Sequence, residues 1–245
     1  MQNKREKFEL VLNLFRDLFL NDRFMSLLEI LEEDSISKSN ERLKTIIDKT
    51  QSVDDNGRND ITEKDLISFL NFFNSLSILV ENQVIPKKTV LDIFKYQFEM
   101  IFSSIALIEY IEKYQFDKIK SIMPSNFFFY GTLINKSKRS KINELKGIND
   151  FLTDKKKLVK LSDYIIQDQV RPNLNYPTLV KSIGNSCTGN LVSIDKNASW
   201  TEIFETLDNY EEVNDDTEHG SALYKRCIVK LGATDDGYAW VYIKS

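Results

Sequence analysis

Few side chains in this 245-residue chain can carry out covalent chemistry, and their spacing excludes the familiar constellations. The single histidine, His219, sits in the segment DDTEHGS, so a Ser-His-Asp or Cys-His relay would have to be built on it alone. The two cysteines, Cys187 and Cys227, lack C-x-x-C spacing and read as small apolar groups rather than reactive thiols. With one histidine and two separated cysteines, neither a metal site nor an organic cofactor is expected. Neither G-x-x-x-x-G-K-[ST] nor G-x-G-x-x-G occurs, which argues against the commonest nucleotide cradles. Carboxylates remain. A sheltered carboxylate can take a proton from a nucleophile and return it to a leaving group. The segment DNYEEVNDDTE (208–218) is densely acidic, but most groups in such a run stay solvated because they repel one another.

A carboxylate of that kind needs a frame. Hydrophobic residues make up 42% of the chain and charged residues 29%, enough to fill a core and too apolar for a disordered protein. The net charge of −4 argues against nucleic acid or an anionic membrane as partner. No apolar run approaches the roughly 18 residues of a membrane span. The opening residues MQNKREKFEL pass from charge into an amphipathic pattern without a signal-peptide core, so a cytoplasmic location is expected.

Glycine divides the chain. Only Gly57 precedes residue 126, and the other seven fall in the last 120 residues. Glycine is costly inside helices and useful at turns, which predicts a helical half followed by a strand-and-turn half, with Pro124 and Ser125 as the hinge. In the first half, Phe8, Val11, Leu12, Phe15, Leu18 and Phe19 recur at helical spacing, and Met25, Leu27, Leu28 and Leu31 extend the pattern. A helix is expected over 39–49 and a loop over 51–60. Thr62 with Asp65 forms a capping-box pair ahead of Leu66, Phe69, Leu70, Phe73, Leu76 and Leu79. After Pro86, residues 89–114 read as one long helix. Eleven of the sixteen phenylalanines lie here, the pattern of an aromatic-packed bundle spanning 1–124, with interaction or self-association as its expected role.

The second half, 125–245, reads as a small mixed sheet or barrel. NFFFYG (126–131) is a buried strand running into a glycine turn. From Lys136 to Lys160 nine basic residues outnumber three acidic ones, a solvated face or a patch for an acidic ligand. VRPNLNYPTLVKS (170–182), with two prolines, suits an irregular edge or a bulge, and TGNLVSI (188–194) a strand. TEIFETLDNYEEV (201–213) is a short amphipathic helix. LYKRCIVKLG (223–232) and YAWVYIK (238–244) are strands joined through Asp-Asp-Gly.

The motifs Tyr130-Gly131-Thr132-Leu133, Tyr176-Pro177-Thr178-Leu179, Thr188-Gly189-Asn190-Leu191, Leu207-Asp208-Asn209-Tyr210-Glu211, Tyr224-Lys225-Arg226 and Ala239-Trp240-Val241-Tyr242-Ile243 occur in this order. In that order they resemble the gamma-glutamylcyclotransferase-like family over roughly 126–245. The resemblance implies an α+β chain whose helical bundle precedes a small mixed β-barrel with an open pocket. It implies that Gly131, Thr132 and Leu133, following Tyr130, present backbone N–H groups to substrate oxygens. Glu211 would be the acid/base, and Tyr224 and Tyr242 would support the pocket wall. A glycine turn of this type can form an anion-binding nest, so the implied role agrees with the physical chemistry of the residues.

The implied activity is cyclisation of a gamma-glutamyl amine or gamma-glutamyl peptide, releasing 5-oxoproline and a free amine. A hydrolase or lyase using the same carboxylate is a related reading. From a different class, a non-catalytic small-ligand-binding or protein-interaction module could use the same fold. Two features depart from the family pattern: Glu212 puts a second negative charge beside Glu211, and the interval between YGTL and YPTL is long and lysine-rich.

Overall fold

The computed structural model of the chain describes residues 4–37, 41–48, 61–130, 157–171, 174–194, 198–211, 224–232 and 237–244. It divides into two compact units, Met1–Met123 and Pro124–Ser245.

The first unit is helical: α1 (Lys4–Phe19), α2 (Asp22–Ser37), α3 (Glu41–Ile47), α4 (Glu63–Glu81), α5 (Lys87–Ile101), α6 (Ile105–Lys113) and α7 (Lys118–Ile122). Two breaks interrupt stretches whose apolar spacing runs on unbroken. Between α1 and α2, the Oδ1 of Asn21 accepts the Phe24 N–H at 3.2 Å and restarts the helix. The stretch 89–114 is not one helix: α5 ends at Ile101, and the Ser104 Oγ accepts the Leu107 N–H at 3.3 Å to open α6. The expected capping box is present, with the Thr62 N–H donating to the Asp65 Oδ2 at 2.9 Å. Phe69, Phe73, Phe94 and Phe98 are fully buried. Phe73 meets Phe69 and Phe98 edge-to-face, at centroid distances of 5.0 and 5.1 Å. The segment 51–60 lies outside the described residues.

The second unit is built from β1 (Asn126–Phe129), β2 (Lys157–Arg171), β3 (Leu174–Ser193), α8 (Trp200–Tyr210), β4 (Tyr224–Lys230) and β5 (Tyr238–Lys244). The sheet order is β2-β3-β1-β5-β4, with β1 parallel to β5 and the other pairs antiparallel. It curls until its two edges meet. Leu161 bridges Leu231, and the Gly232 N–H donates to the Lys160 carbonyl at 3.0 Å. A side chain at Gly232 would collide with Ser162, so the approach of the edges requires glycine there. Within 170–182 the described residues pair continuously between β2 and β3 from Arg171–Leu174 to Tyr164–Lys181, and an irregularity follows directly, where the register shifts between Tyr164–Lys181 and Ser162–Ser186. Pro177 is accommodated by strand parity. The Leu179 N–H points away from β2, to the Tyr130 hydroxyl, and the Pro177 nitrogen two residues earlier lies on the same side. Its missing N–H therefore removes no ladder bond to β2.

The two faces of the curled sheet carry different chemistry. Phe128, Tyr130, Leu161, Leu179, Cys187, Val229, Ala239 and Val241 pack together on the inner face. On the opposite parity, Phe127 and Trp240 meet the Phe204 ring of α8 edge-to-face at 5.5 and 5.3 Å. Phe204 thus seats α8 on the outer face, and the last turn of the helix brings Asp208 against β4 and β5.

Candidate active site

Local rules explain how Glu211 is presented. The Ser199 Oγ caps the start of α8 by accepting the Glu202 N–H at 3.3 Å. The helix ends at Tyr210, and Glu211 is its C-cap, its own N–H donating to the Leu207 carbonyl at 2.9 Å. Glu211 is half-buried.

One turn back on α8 stands Asp208, 1% exposed. A carboxylate this deep needs partners. Its Oδ1 lies 3.0 Å from the Arg226 Nε and accepts the Tyr242 hydroxyl at 2.8 Å. Arg226 and Tyr242 are directly opposed in the β4–β5 register, so neighbouring strands supply both donors. The Arg226 guanidinium also lies over the Phe204 ring, 4.2 Å from its centroid, and so holds α8 at two points. Burial pushes the Asp208 carboxyl upward, while the Arg226 charge and the Tyr242 hydroxyl pull it back.

Tyr242 faces both ways. Its carbonyl accepts the Tyr130 hydroxyl at 2.6 Å, and the Tyr130 oxygen in turn accepts the Leu179 N–H at 3.3 Å. Tyr130 is the residue after β1, on the threshold of Gly131. Burial, then the negative charge of Glu211, raises its phenol well above the ordinary tyrosine value; Tyr224 and Cys187 add to the shift and the Leu179 N–H opposes it. Tyr242 is raised as well, by burial and then by Asp208, with Arg226 opposing and Glu211 contributing. Both phenols are neutral struts at neutral pH.

Four of the seven candidate residues therefore share one electrostatic neighbourhood: Tyr130 at the end of β1, Glu211 at the end of α8, Tyr224 at the start of β4 and Tyr242 in β5. Gly131, Thr132 and Leu133 lie outside the described residues, as do Glu212, His219 and the lysine-rich stretch 136–156. Cys187 is buried and Cys227 half-buried, and the two are not joined in a disulfide. Among the described residues, no group of three or more His, Cys, Asp or Glu side chains is arranged to hold a metal ion. None of the described helices is long and apolar enough to cross a membrane.

Asp208 and Arg226 are the components that sequence reasoning left without a role. Their signal was present but weak: an arginine between Tyr224 and Ile228 on the parity of a buried face, and an aspartate one helical turn before the candidate acid.

Residues 127–245 match the family described as gamma-glutamyl cyclotransferase, AIG2-like. The C-terminal domain is thus of gamma-glutamylcyclotransferase-like type, and the whole is an α+β chain of N-terminal helices and a curled mixed sheet. Among solved structures, the chain is similar to YkqA from Bacillus subtilis, at 18% identity and a TM-score of 0.39, over 56% of this chain and 45% of that one. It is also similar to a structure named gamma-glutamyl cyclotransferase, at 17% identity and a TM-score of 0.32, over 49% of this chain and 66% of that one. A solution structure from Arabidopsis thaliana gives 18% identity and a TM-score of 0.32, over 49% of this chain and 61% of that one. In each case the chain spans less than two thirds of the structure it resembles. No curated protein matches the chain.

Proposed function

We propose that the C-terminal domain cyclises a gamma-glutamyl amine or gamma-glutamyl peptide, releasing 5-oxoproline and a free amine, with Glu211 as acid/base. The observation that carries this reading is the position of Glu211, at the end of α8 and near enough to raise the phenol of Tyr130, the residue that precedes Gly131, Thr132 and Leu133 in the sequence. The family match over 127–245 supplies the reaction class.

The reaction asks for little beyond this. The substrate carries its own nucleophile, the α-amine, which attacks the γ-carbonyl carbon to close a five-membered ring. Holding the chain curled supplies much of the acceleration, because the attack is intramolecular. The amine is largely protonated near neutral pH, so a base must take its proton first. Glu211 accepts that proton. The carbonyl oxygen becomes an oxyanion, for which N–H groups of Gly131, Thr132 and Leu133 are the proposed donors, each worth roughly 3–4 kcal/mol when preorganised. As the tetrahedral centre collapses, the bond to the leaving nitrogen breaks and Glu211 returns the proton to it, while the surplus proton of the ring nitrogen passes to the departing amine, which leaves as its ammonium form. Tyr224 is assigned to the pocket wall, and Tyr242 supports that wall from behind, with its hydroxyl held by Asp208.

The test is incubation of the full chain with a panel of gamma-glutamyl amines and peptides, following 5-oxoproline, beside Glu211→Gln. Turnover of at least one substrate, lowered about 100-fold or more in the variant, is expected for the loss of a general acid/base. Full activity in Glu211→Gln, or no conversion of any substrate, would overturn the reading. Binding without conversion would favour a ligand-binding module instead.

A further inference from the structure

We propose that Asp208 is a positioning residue that, locked to Arg226 and Tyr242, fixes the last turn of α8 and thereby the place of Glu211 relative to Tyr130 at the end of β1. The proposal rests on the reading of Glu211 as the acid/base.

The argument begins with what a helix C-terminus does if left alone. Its last carbonyls have no intrahelical partners and its final turn frays. Glu211 sits at that end, and a carboxylate displaced by about 1 Å can cost on the order of 100-fold in rate. Asp208 lies three positions earlier, one turn back, and its two contacts come from the sheet rather than from the helix. Because Arg226 and Tyr242 are opposed across β4 and β5, the carboxylate is fixed against a rigid strand pair. Arg226 cannot swing away easily, since its guanidinium is also seated on Phe204.

The other half of the site hangs from the same residue. The Tyr242 hydroxyl holds Asp208 at 2.8 Å, and its carbonyl holds the Tyr130 hydroxyl at 2.6 Å. One residue of β5 thus sets both the acid-bearing helix end and the strand end that carries Tyr130. Asp208 and Tyr242 are 1% and 3% exposed, so neither is available to a substrate. Their effect on turnover must run through Glu211 and Tyr130.

The experiment compares Asp208→Asn, Tyr242→Phe and the double variant in the full chain, each at a temperature where circular dichroism shows it folded. Asp208→Asn is expected to lower kcat about 10–100-fold with KM changed less than about threefold, the signature of misplaced chemistry rather than lost binding. Tyr242→Phe should act in the same direction, about 3–10-fold, and the losses in the double variant should be less than multiplicative, since Asp208→Asn weakens and Tyr242→Phe removes the same contact. An unchanged kcat per folded molecule, or losses that multiply in the double variant, would overturn the proposal. Should Asp208→Asn fail to fold, Tyr242→Phe decides it alone. A second readout is independent of turnover. In protein labelled with 13Cδ-glutamate, with the Glu211 carboxyl signal assigned through Glu211→Gln, that signal should move in Tyr242→Phe without substrate; a signal that stays in place would overturn the proposal. Full activity in Glu211→Gln would instead refute the acid/base reading, and the carboxyl signal would still judge the positioning.

Discussion

Arg226 and Tyr242 face each other across β4 and β5 and converge on one oxygen, the Oδ1 of Asp208, at 3.0 and 2.8 Å. The ion pair is 3% exposed on the arginine side and 2% on the aspartate side. Removing one partner strands the other charge in a dry interior, which costs about 3–5 kcal/mol, whereas replacing both with apolar groups of similar size is often neutral. Urea unfolding should therefore show Arg226→Ala destabilised by about 3–5 kcal/mol. The double change Asp208→Leu with Arg226→Met should be less destabilised than Arg226→Ala. A double variant weaker than that single would mean the pair contributes more than charge compensation.

Tyr130 serves two buried backbone groups with one hydroxyl, donating to the Tyr242 carbonyl and accepting from the Leu179 N–H. Tyr130→Phe keeps the ring in the inner core and leaves the Leu179 N–H without its acceptor, at a cost of about 1–3 kcal/mol. Hydrogen exchange provides the local check. The Leu179 amide should lose protection in Tyr130→Phe by a larger factor than amides of β4, and equal losses in both strands would argue that the hydroxyl is not the lock.

What could be read from the sequence and what could not divides along the range of the interactions. The capping box of Thr62 and Asp65 and the Ser199 cap of α8 are local, settled within a few residues, and the first was legible outright. The breaks at Asn21 and Ser104 were not, because the apolar spacing continues across them and a single side chain decides the cut. Pro172 and Pro177 suggested an irregular edge or a bulge; the irregularity lies beyond Lys181, and Pro177 itself stands within regular pairing because its missing N–H is on the strand side where none is needed. Glu211, Tyr130, Tyr224 and Tyr242 were named as candidates by motif order, and the structure brings these four into one electrostatic neighbourhood. Asp208 and Arg226 were passed over because a charged residue alone reads as solvated. Their burial depends on a contact 18 positions apart that exists only once α8 lies on the sheet.

Alkali should destabilise the protein, starting near pH 9. Burial pushes the Cys187 thiol up to about 11, and Tyr130 and Tyr242 lie well above the ordinary tyrosine value. In the unfolded chain these groups ionise near their ordinary values, about 8.5–9 for the thiol and about 10 for the phenols. Between each ordinary value and the raised one, the folded state binds more protons than the unfolded state, so stability falls as pH rises. The contribution is fully present below about pH 8.5 and is lost upward, thiol first and phenols next. Thermal melts should decline from pH 8.5 to 10.5, and Cys187→Ala should flatten the portion between about 9 and 10. A melt flat across that range would contradict the burial of these groups.

Gly189 and Gly184 lie five residues apart in β3 but answer to different constraints. Gly184 has φ +78 with open space around it, so an alanine there meets only the intrinsic cost of a left-handed backbone, about 1–2 kcal/mol. A side chain at Gly189 would run into the Phe129 carbonyl and the Phe128 ring, in the strand that ends at Tyr130. Backbone cannot rotate away as a flexible side chain can, so Gly189→Ala must part β3 from β1 or bend one of them, typically costing about 1–3 kcal/mol or more. Gly189→Ala should accordingly unfold at lower urea than Gly184→Ala. It should also lower turnover per folded molecule, because the β1 terminus carries Tyr130, while Gly184→Ala leaves turnover unchanged. The opposite stability order would mean that the close approach of β3 to β1 does not hold in solution.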